Sequence, residues 1–358
     1  MSKGLYIHVP FCRRKCLYCD FYSVTDFSLS DSYVNAVIRN IKARGERYDT
    51  VYFGGGTPSL LSGRQVYAIL SAADIESCAE ISAECNPDSA DINKLSELHS
   101  AGINRISLGI QSLDDRELKM LGRLHDSAQA VLAVKNARAS GFDNISADLM
   151  LGLPFQNIET VKSNISRLSE LEINHISAYM LKVEENTPLA EKTELVSNIA
   201  DDELSADIYL SAVELLEEKD FYQYEISNFS HRGYECRHNL KYWKCEDYFG
   251  TGPSAHSCID GKRFAVPKDI CGYIYSERQQ EIITDENACS DEERLMLSLR
   301  LAEGCPIPEN GGERIIKAAK ELQRHGLLNI SDNRIMLTPK GFLVSNSIIC
   351  LLSEAMEE

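Results

Sequence analysis

Residues 6–19 read Tyr6-Ile7-His8-Val9-Pro10-Phe11-Cys12-Arg13-Arg14-Lys15-Cys16-Leu17-Tyr18-Cys19. An apolar strand pattern, Leu5–Val9, runs straight into three cysteines spaced C-x₃-C-x₂-C, and the next cysteine is Cys78. One short loop therefore brings three thiolates to a single point. An electron-carrying [4Fe–4S] site takes four cysteines, and a structural zinc site is closed by four ligands. A three-cornered site leaves one iron of a cubane for a ligand that is not protein. The plainer alternative is a redox pair with a bystander, because Cys16-x-x-Cys19 alone fits a thioredoxin-like motif. The chain that follows argues against it.

Working outward, the first half alternates short apolar strands with amphipathic helices. Strand patterns fall at Leu5–Val9, Thr50–Phe53, Glu80–Cys85, Arg105–Ile110, Ile145–Leu151 and His175–Leu181. One helix runs through Val161, Ile165, Leu168 and Leu171 behind an N-cap at Asn157. Another starts at Asp126, runs through Val131, Leu132 and Val134, and stops at Gly141. Such alternation implies βα units and a parallel sheet. Six units are two short of a closed eightfold barrel, so an open or partial (β/α)6 barrel is expected.

The unusual residues fall where strands end: the cysteine loop, Gly54-Gly55-Gly56-Thr57-Pro58, Glu84-Cys85-Asn86-Pro87, Gln111, and Asp148 ahead of Gly152-Leu153-Pro154. Parallel α/β folds place their sites at the carboxyl ends of strands. Polar groups from five strands then converge on one mouth. After Glu191 the alternation fades into an acidic helix near Ala200–Lys219 and a segment rich in aromatic residues, Cys and His up to Tyr275. A helix at Ile315–Gly326 and a hairpin turning at Asp332-Asn333 complete an α+β, winged-helix-like C-terminal module. The expected division is residues 1–200, 201–285 and 286–358.

Composition restricts the partners. The 358-residue chain carries 37 basic against 54 acidic residues, a net charge of −17, and the C-terminal module has no basic excess. A nucleic-acid reader needs a basic face, so nucleic acid is not an expected partner. No apolar run approaches a membrane span, and Met1–Pro10 reads as a strand rather than a leader. Twelve cysteines in such a chain suit a reducing compartment; a cytoplasmic protein without membrane insertion is expected. Gly250-Thr251-Gly252-Pro253-Ser254-Ala255 superficially fits a dinucleotide fingerprint but lacks a βαβ setting and carries a proline.

Taken together, Tyr6–Cys12, the cysteine triad, Gly54–Pro58, Gln111, Arg123 and Asp148 resemble the radical-SAM branch that holds coproporphyrinogen III dehydrogenases and HemW-type haem chaperones. The likeness covers nearly the whole chain. It implies a radical-SAM partial barrel with a [4Fe–4S] cluster on Cys12, Cys16 and Cys19, whose last iron is chelated by exchangeable S-adenosylmethionine. In that reading Gly54, Gly55, Gly56 and Thr57 lie against the methionine moiety. Glu84 meets its ammonium and Arg123 its carboxylate. Gln111 and Asp148 hold the ribose, Tyr18 holds the adenine, and the resemblance adds Tyr6. One electron from the cluster would split the sulfonium bond to a 5′-deoxyadenosyl radical, chemistry that belongs to the cofactor.

Three departures separate the two relatives. The dehydrogenases carry C-x₃-C-x₂-C-x-C, and the position of that last cysteine is Phe21 here. They also have a long extension before the cluster loop, where eleven residues stand here. Third, His238-Asn239-Leu240-Lys241-Tyr242-Trp243 is the H-N-x-x-Y-W pattern that marks the HemW group, and Trp243 is the sole tryptophan. The resemblance thus implies haem as a bound group and haem-acceptor proteins, respiratory enzymes among them, as partners; a homodimer stays open. His238 is the expected axial ligand, with Tyr242 and Trp243 packed on the macrocycle. The competing reading of the motif is a buried His–Asn pair that staples a loop, and Cys236, Cys245, Cys258 and His256 are rival ligands. The competing function is oxidative decarboxylation of coproporphyrinogen III or another radical-SAM reaction.

Overall fold

The computed structural model describes residues 2–307 and 312–357. Six strands pair in parallel and in sequential order: β1 (Lys3–Val9), β2 (Arg47–Gly55), β3 (Asp74–Cys85), β4 (Arg105–Gln111), β5 (Asn144–Leu151) and β6 (His175–Met180). Five of the intervening helices, Ser30–Arg44, Gly63–Leu70, Ile92–Ser100, Ser127–Ala139 and Ile158–Ser169, cover one side of this sheet. The expected caps are in place. Asn157 accepts from Thr160 N, and Asp126 forms a capping box with Gln129.

The strand sequences explain which face is covered. Leu5, Ile7, Val9, Val51, Phe53, Ile106, Leu108, Ile145, Ala147, Leu149 and Ile176 are all buried. Their alternate neighbours, among them Tyr52, Glu84, Arg105, Ser107, Asp148, His175 and Ser177, line a cavity on the other side. Parallel strands covered on both faces read as continuous apolar runs; here a period of two survives because the inner face is polar. The apolar half of each strand buries the helices, and the polar half builds the lumen.

The sheet continues beyond the six strands. The helix Asp202–Glu218 leads to β7 (Tyr222–Glu225) and β8 (Asn228–Ser230), which add antiparallel to β6. On the opposite edge β9 (Tyr248–Thr251) adds parallel to β1, followed by antiparallel β10 (His256–Ile259), β11 (Lys262–Ala265) and β12 (Ile282–Asp285). The twelve-stranded sheet has β7 and β12 at its two ends. It is a curved, unclosed barrel, as the six-unit count anticipates, with a seventh parallel strand that the sequence reading did not assign.

That strand accounts for the glycine-rich run. A Cβ on Gly250 would sit 2.0 Å from the His256 carbonyl oxygen, and one on Gly252 would sit 2.4 Å from that of His8. The glycines let β9 and the turn after it pass against backbone, and no dinucleotide fingerprint is formed. Farther on, β13 (Cys305–Pro306), β14 (Leu328–Ser331) and β15 (Arg334–Leu337) form a separate three-stranded sheet. Helices Asp291–Ser298, Gly312–Arg324 and Ser345–Glu357 accompany it. Asp332 and Asn333 both have positive φ, 50° and 59°, as a two-residue hairpin of type I′ requires.

Gly250→Ala should therefore destabilise the fold by about 1–3 kcal/mol, the range for overpacking. Thermal denaturation against the parent chain checks this; an unchanged midpoint would mean that β9 has room to shift.

Candidate functional site

The cysteine loop leaves β1 through Phe11, which is fully buried against Phe27 and Tyr33. Its base is closed by backbone bonds from Val24 N to Pro10 O and from Cys12 N to Val24 O. Leu17 pins its middle, donating to Leu121 O and accepting from Leu189 N. These anchors hold Cys12, Cys16 and Cys19 at the rim of a cavity of about 470 Å³, within the usual range for a cofactor site. Burial pushes the Cys12 thiol up and the Cys19 thiol up to about 11. Without a cation these are neutral thiols, and metal binding must displace their protons.

The same cavity is lined by Tyr18, Gly55, Gly56, Thr57, Glu84, Gln111, Arg123 and Asp148, so most of the predicted residues meet. Two carboxylates dominate its inner wall. Glu84 accepts from Tyr52 OH at 3.0 Å and Gly55 N at 3.1 Å, and Asp148 accepts from Ser107 Oγ at 3.1 Å. Burial, then the charge of Asp148, raise the Glu84 carboxyl to about 7. Burial raises Asp148 as well. Two such carboxylates facing one space favour a cationic occupant.

Arg123 sits at the junction of loop and barrel. Its Nη2 donates to Asn86 Oδ1 at 2.7 Å and Gly109 O at 2.6 Å; its Nη1 reaches Cys16 Sγ and Tyr18 OH, each at 3.4 Å. The guanidinium thus ties the cluster loop to β4. Gln111 ends β4 in the left-handed region at φ 67°, a conformation a non-glycine residue adopts only when its surroundings hold it there. The N–H groups of Gly55 and Gly56 are already bonded to Glu84 and to Val9 O. What these glycines present to the cavity is surface without side chains.

Two predicted residues of this group stand back from the cavity. Tyr6 and Gly54 are not part of its lining. A Cβ on Gly54 would lie 3.0 Å from both the Tyr6 and Tyr52 rings, so Gly54 lets the two aromatics close over the strand. Tyr6 stacks on Tyr52, with ring centroids 6.3 Å apart, and thereby backs the partner of Glu84.

Residues the sequence reading missed complete the lumen: Tyr52, Arg105, Ser107, His175 and Ser177. Arg105 is 2% exposed, and its Nε and Nη1 have no hydrogen-bond partner among the described residues. The available signal was polar residues two apart inside apolar strands, as in Arg105/Ser107, Ser146/Asp148 and His175/Ser177.

The H-N-x-x-Y-W residues lie on the short helix Arg237–Trp243. His238 is fully buried; its Nδ1 meets Thr50 Oγ1 at 2.9 Å and its Nε2 meets Tyr242 OH at 2.7 Å. Burial lowers its pKa to about 3, leaving a neutral ring. With both nitrogens engaged, this ring offers no free ligand atom. It staples the helix to β2 through Thr50, with Tyr242 of the same helix engaging its other nitrogen, whereas Asn239 lines the cavity. Glu80 caps the helix from β3, accepting from the backbone N–H groups of Arg237 and His238 at 3.1 Å. Tyr242 and Trp243 line a second cavity, of about 490 Å³.

Comparison with known proteins identifies the family. Residues 6–168 match the Radical SAM superfamily and residues 292–344 the HemN C-terminal domain. The heme chaperone HemW of Lactococcus lactis is 32% identical over 96% of this chain and 95% of its own. HemW of Bacillus subtilis is 34% identical over 97% and 98%. The chain belongs to the HemW family of radical-SAM proteins. The solved coproporphyrinogen III oxidase HemN of Escherichia coli superposes with a TM-score of 0.81 over 98% of this chain and 90% of its own, at 20% identity, which speaks for the fold alone.

Membership of this superfamily implies a [4Fe–4S] cluster and S-adenosylmethionine, and the residues of this HemW-family chain fit both. Three thiols share one rim, and paired buried carboxylates face a space that a ligand with ammonium and sulfonium charges would fill.

Two outcomes follow from the site. Cys12→Ala, Cys16→Ala or Cys19→Ala should abolish the broad brown absorbance of reconstituted protein, whereas the exposed Cys78 and Cys350 should be replaceable; a full cluster on Cys16→Ala would refute the assignment. Without ligand, the raised Glu84 carboxyl favours the protonated fold, a contribution lost as pH rises from about 4.5 through about 7. A ligand ammonium reverses the preference, so S-adenosylmethionine should bind more tightly as pH rises from about 6 to about 7.5. Glu84→Gln should flatten that dependence and weaken binding roughly ten- to a hundredfold, the loss of one charge-assisted bond. Calorimetric titration at several pH values measures both.

Proposed function

We propose that this chain is a haem chaperone on a radical-SAM scaffold, binding haem and passing it to acceptor proteins. The observation that carries the reading is full-length similarity to proteins named heme chaperones, at 32–34% identity in two of them. In this reading Cys12, Cys16 and Cys19 hold the cluster, and Gly55, Gly56, Thr57, Glu84, Gln111, Arg123, Asp148 and Tyr18 surround S-adenosylmethionine. Tyr6 and Gly54 support them from behind. When bound, the cluster would supply the electron for reductive cleavage of the sulfonium.

The protein's own contribution is placement. Arg123 fixes the loop against β4, Glu84 and Asp148 set the charge of the lumen, and the strand-end backbone shapes it. Haem acceptors, respiratory enzymes among them, are the proposed partners. Among the described residues no helix is long and apolar enough to cross a membrane, and a net charge of −17 disfavours nucleic acid. We place the protein in the cytoplasm, with residues 1–200 as the cluster and S-adenosylmethionine unit, 201–285 connecting, and 286–358 as the docking module.

Oxidative decarboxylation of coproporphyrinogen III has less support. Where the resemblance places a fourth cysteine in the dehydrogenases, Phe21 stands 62% exposed at the cavity rim. Anaerobic titration of cluster-reconstituted protein with haem, followed in the Soret band, should saturate at one haem per chain. Absence of saturable binding, with turnover of porphyrinogen in the presence of S-adenosylmethionine and reductant, would reverse the assignment.

A further inference from the structure

The staple made by His238 leaves the haem of the preceding reading without its expected ligand, and the second cavity offers another. Its volume of about 490 Å³ lies in the range that encloses a flat macrocycle of drug size. Tyr242, Trp243 and Tyr248 wall one side, and Arg263 and Arg300 lie in the same lining. Arg263 is paired with Glu293 and is one-quarter exposed, and Arg300 donates to Asn346 Oδ1 at 2.9 Å.

Three free cysteines from separate elements converge on this space: Cys245 just after the H-N-x-x-Y-W helix, Cys258 on β10, and Cys289 ahead of the helix Asp291–Ser298. Cys258 Sγ and Cys289 Sγ are 3.6 Å apart, and Cys289 Sγ lies 3.9 Å from the Cys245 carbonyl oxygen. Cys245 and Cys289 both hold left-handed backbone, with φ of 53° and 61°, rare for residues with a Cβ. Burial, then the neighbouring Cys289 thiol, raise the thiols of Cys245 and Cys258 to about 12, so a metal ligated here has to displace a proton.

We propose that haem binds in this second cavity with its iron ligated by a thiolate of the Cys245–Cys258–Cys289 cluster. Rings of the H-N-x-x-Y-W helix flank the macrocycle, and Arg263 and Arg300 receive its carboxylates. Ligation of ferric haem forms one Fe–S bond and releases the thiol proton; no electron is transferred. A cysteine thiolate is an established proximal ligand for haem iron, and aromatic faces and guanidinium groups match the rest of the molecule. The proposal rests on the haem-carrier reading and changes its ligand, from an imidazole sealed under β2 to a thiolate in an open cavity.

The test uses full-length, cluster-reconstituted protein and free haem. Ferric electron paramagnetic resonance and the ferrous–carbonyl Soret position distinguish thiolate from imidazole ligation, independently of any transfer activity. Wild type should show the thiolate signature. The triple variant C245S/C258S/C289S should lose it and bind haem at least tenfold more weakly, with cluster absorbance and S-adenosylmethionine binding retained. Should the triple variant fail to fold, the single variants Cys245→Ser, Cys258→Ser and Cys289→Ser replace it, and at least one should lose the signature. Cys78→Ser serves as the control and should keep it. Saturable binding with an imidazole signature, or a signature unmoved by these substitutions, overturns the thiolate site while leaving the carrier reading intact. No haem binding by wild type overturns both.

Discussion

A parallel sheet delivers the carboxyl end of every strand to the same edge, and in this chain the pairing that does so is nearly continuous from β1 to β6. The register sets Tyr6 beside Tyr52, Tyr52 beside Ser82, and Ser82 beside Arg105. Glu84 stands beside Ser107, Ser107 beside Ser146, and Ser146 beside His175. A slip by one residue would turn every one of these side chains into the helical layer and every buried Ile, Val and Leu into the lumen. The apolar outer face thus fixes the polar inner one. The position of Glu84 relative to the cysteine loop is a consequence of burying Val51, Phe53, Ala83 and Ile106.

The polar lumen is costly. Burial disfavours the charges of Glu84 and Asp148, and Arg105 keeps two nitrogens without partners among the described residues. A structure selected for stability alone would fill a barrel with branched apolar side chains. Here the cost is offset outside the lumen, by the apolar layer between sheet and helices. A cationic ligand lowers it further, by pairing with carboxylates whose charges burial disfavours. Binding and folding energetics meet in the same few residues, and this is why the raised Glu84 carboxyl is informative about an occupant.

How far the sequence could be read depended on the range of the interactions involved. The six barrel strands and the helix caps at Asn157 and Asp126 were legible because local periodicity and local hydrogen bonds make them. β9 was not: Tyr248–Thr251 is four residues long, half of it Gly250 and Thr251, and it is a strand because β1 and the close approach of His256 make it one. The cavity residues at strand ends were recognisable by their unusual types. Arg105 and His175, one layer deeper, look like ordinary strand positions until the register is known. The burial of His238 was hidden for the same reason, since its partner Thr50 is 188 residues away in sequence. Cys245, Cys258 and Cys289 have no regular spacing, and only the fold brings the sulfurs of Cys258 and Cys289 together and sets Cys289 against the Cys245 carbonyl.

The short helix 237–243 shows why its motif uses these residue types. His238 and the Glu80 cap anchor the helix beneath the sheet, and Lys241, nearly buried, pairs with Asp49 and Glu246. Held in this way, the helix turns Asn239 toward the first cavity and Tyr242 and Trp243 toward the second. Asn239 and Tyr179 belong to the linings of both cavities, so the two spaces share a wall. An imidazole suits the anchor because it can join a hydroxyl on each of its two sides while remaining neutral in the core; a lysine or carboxylate there would bury a charge. The motif is therefore better described as a partition than as a ligand: its histidine fixes the wall, and its asparagine and aromatic residues face the two spaces that the wall divides.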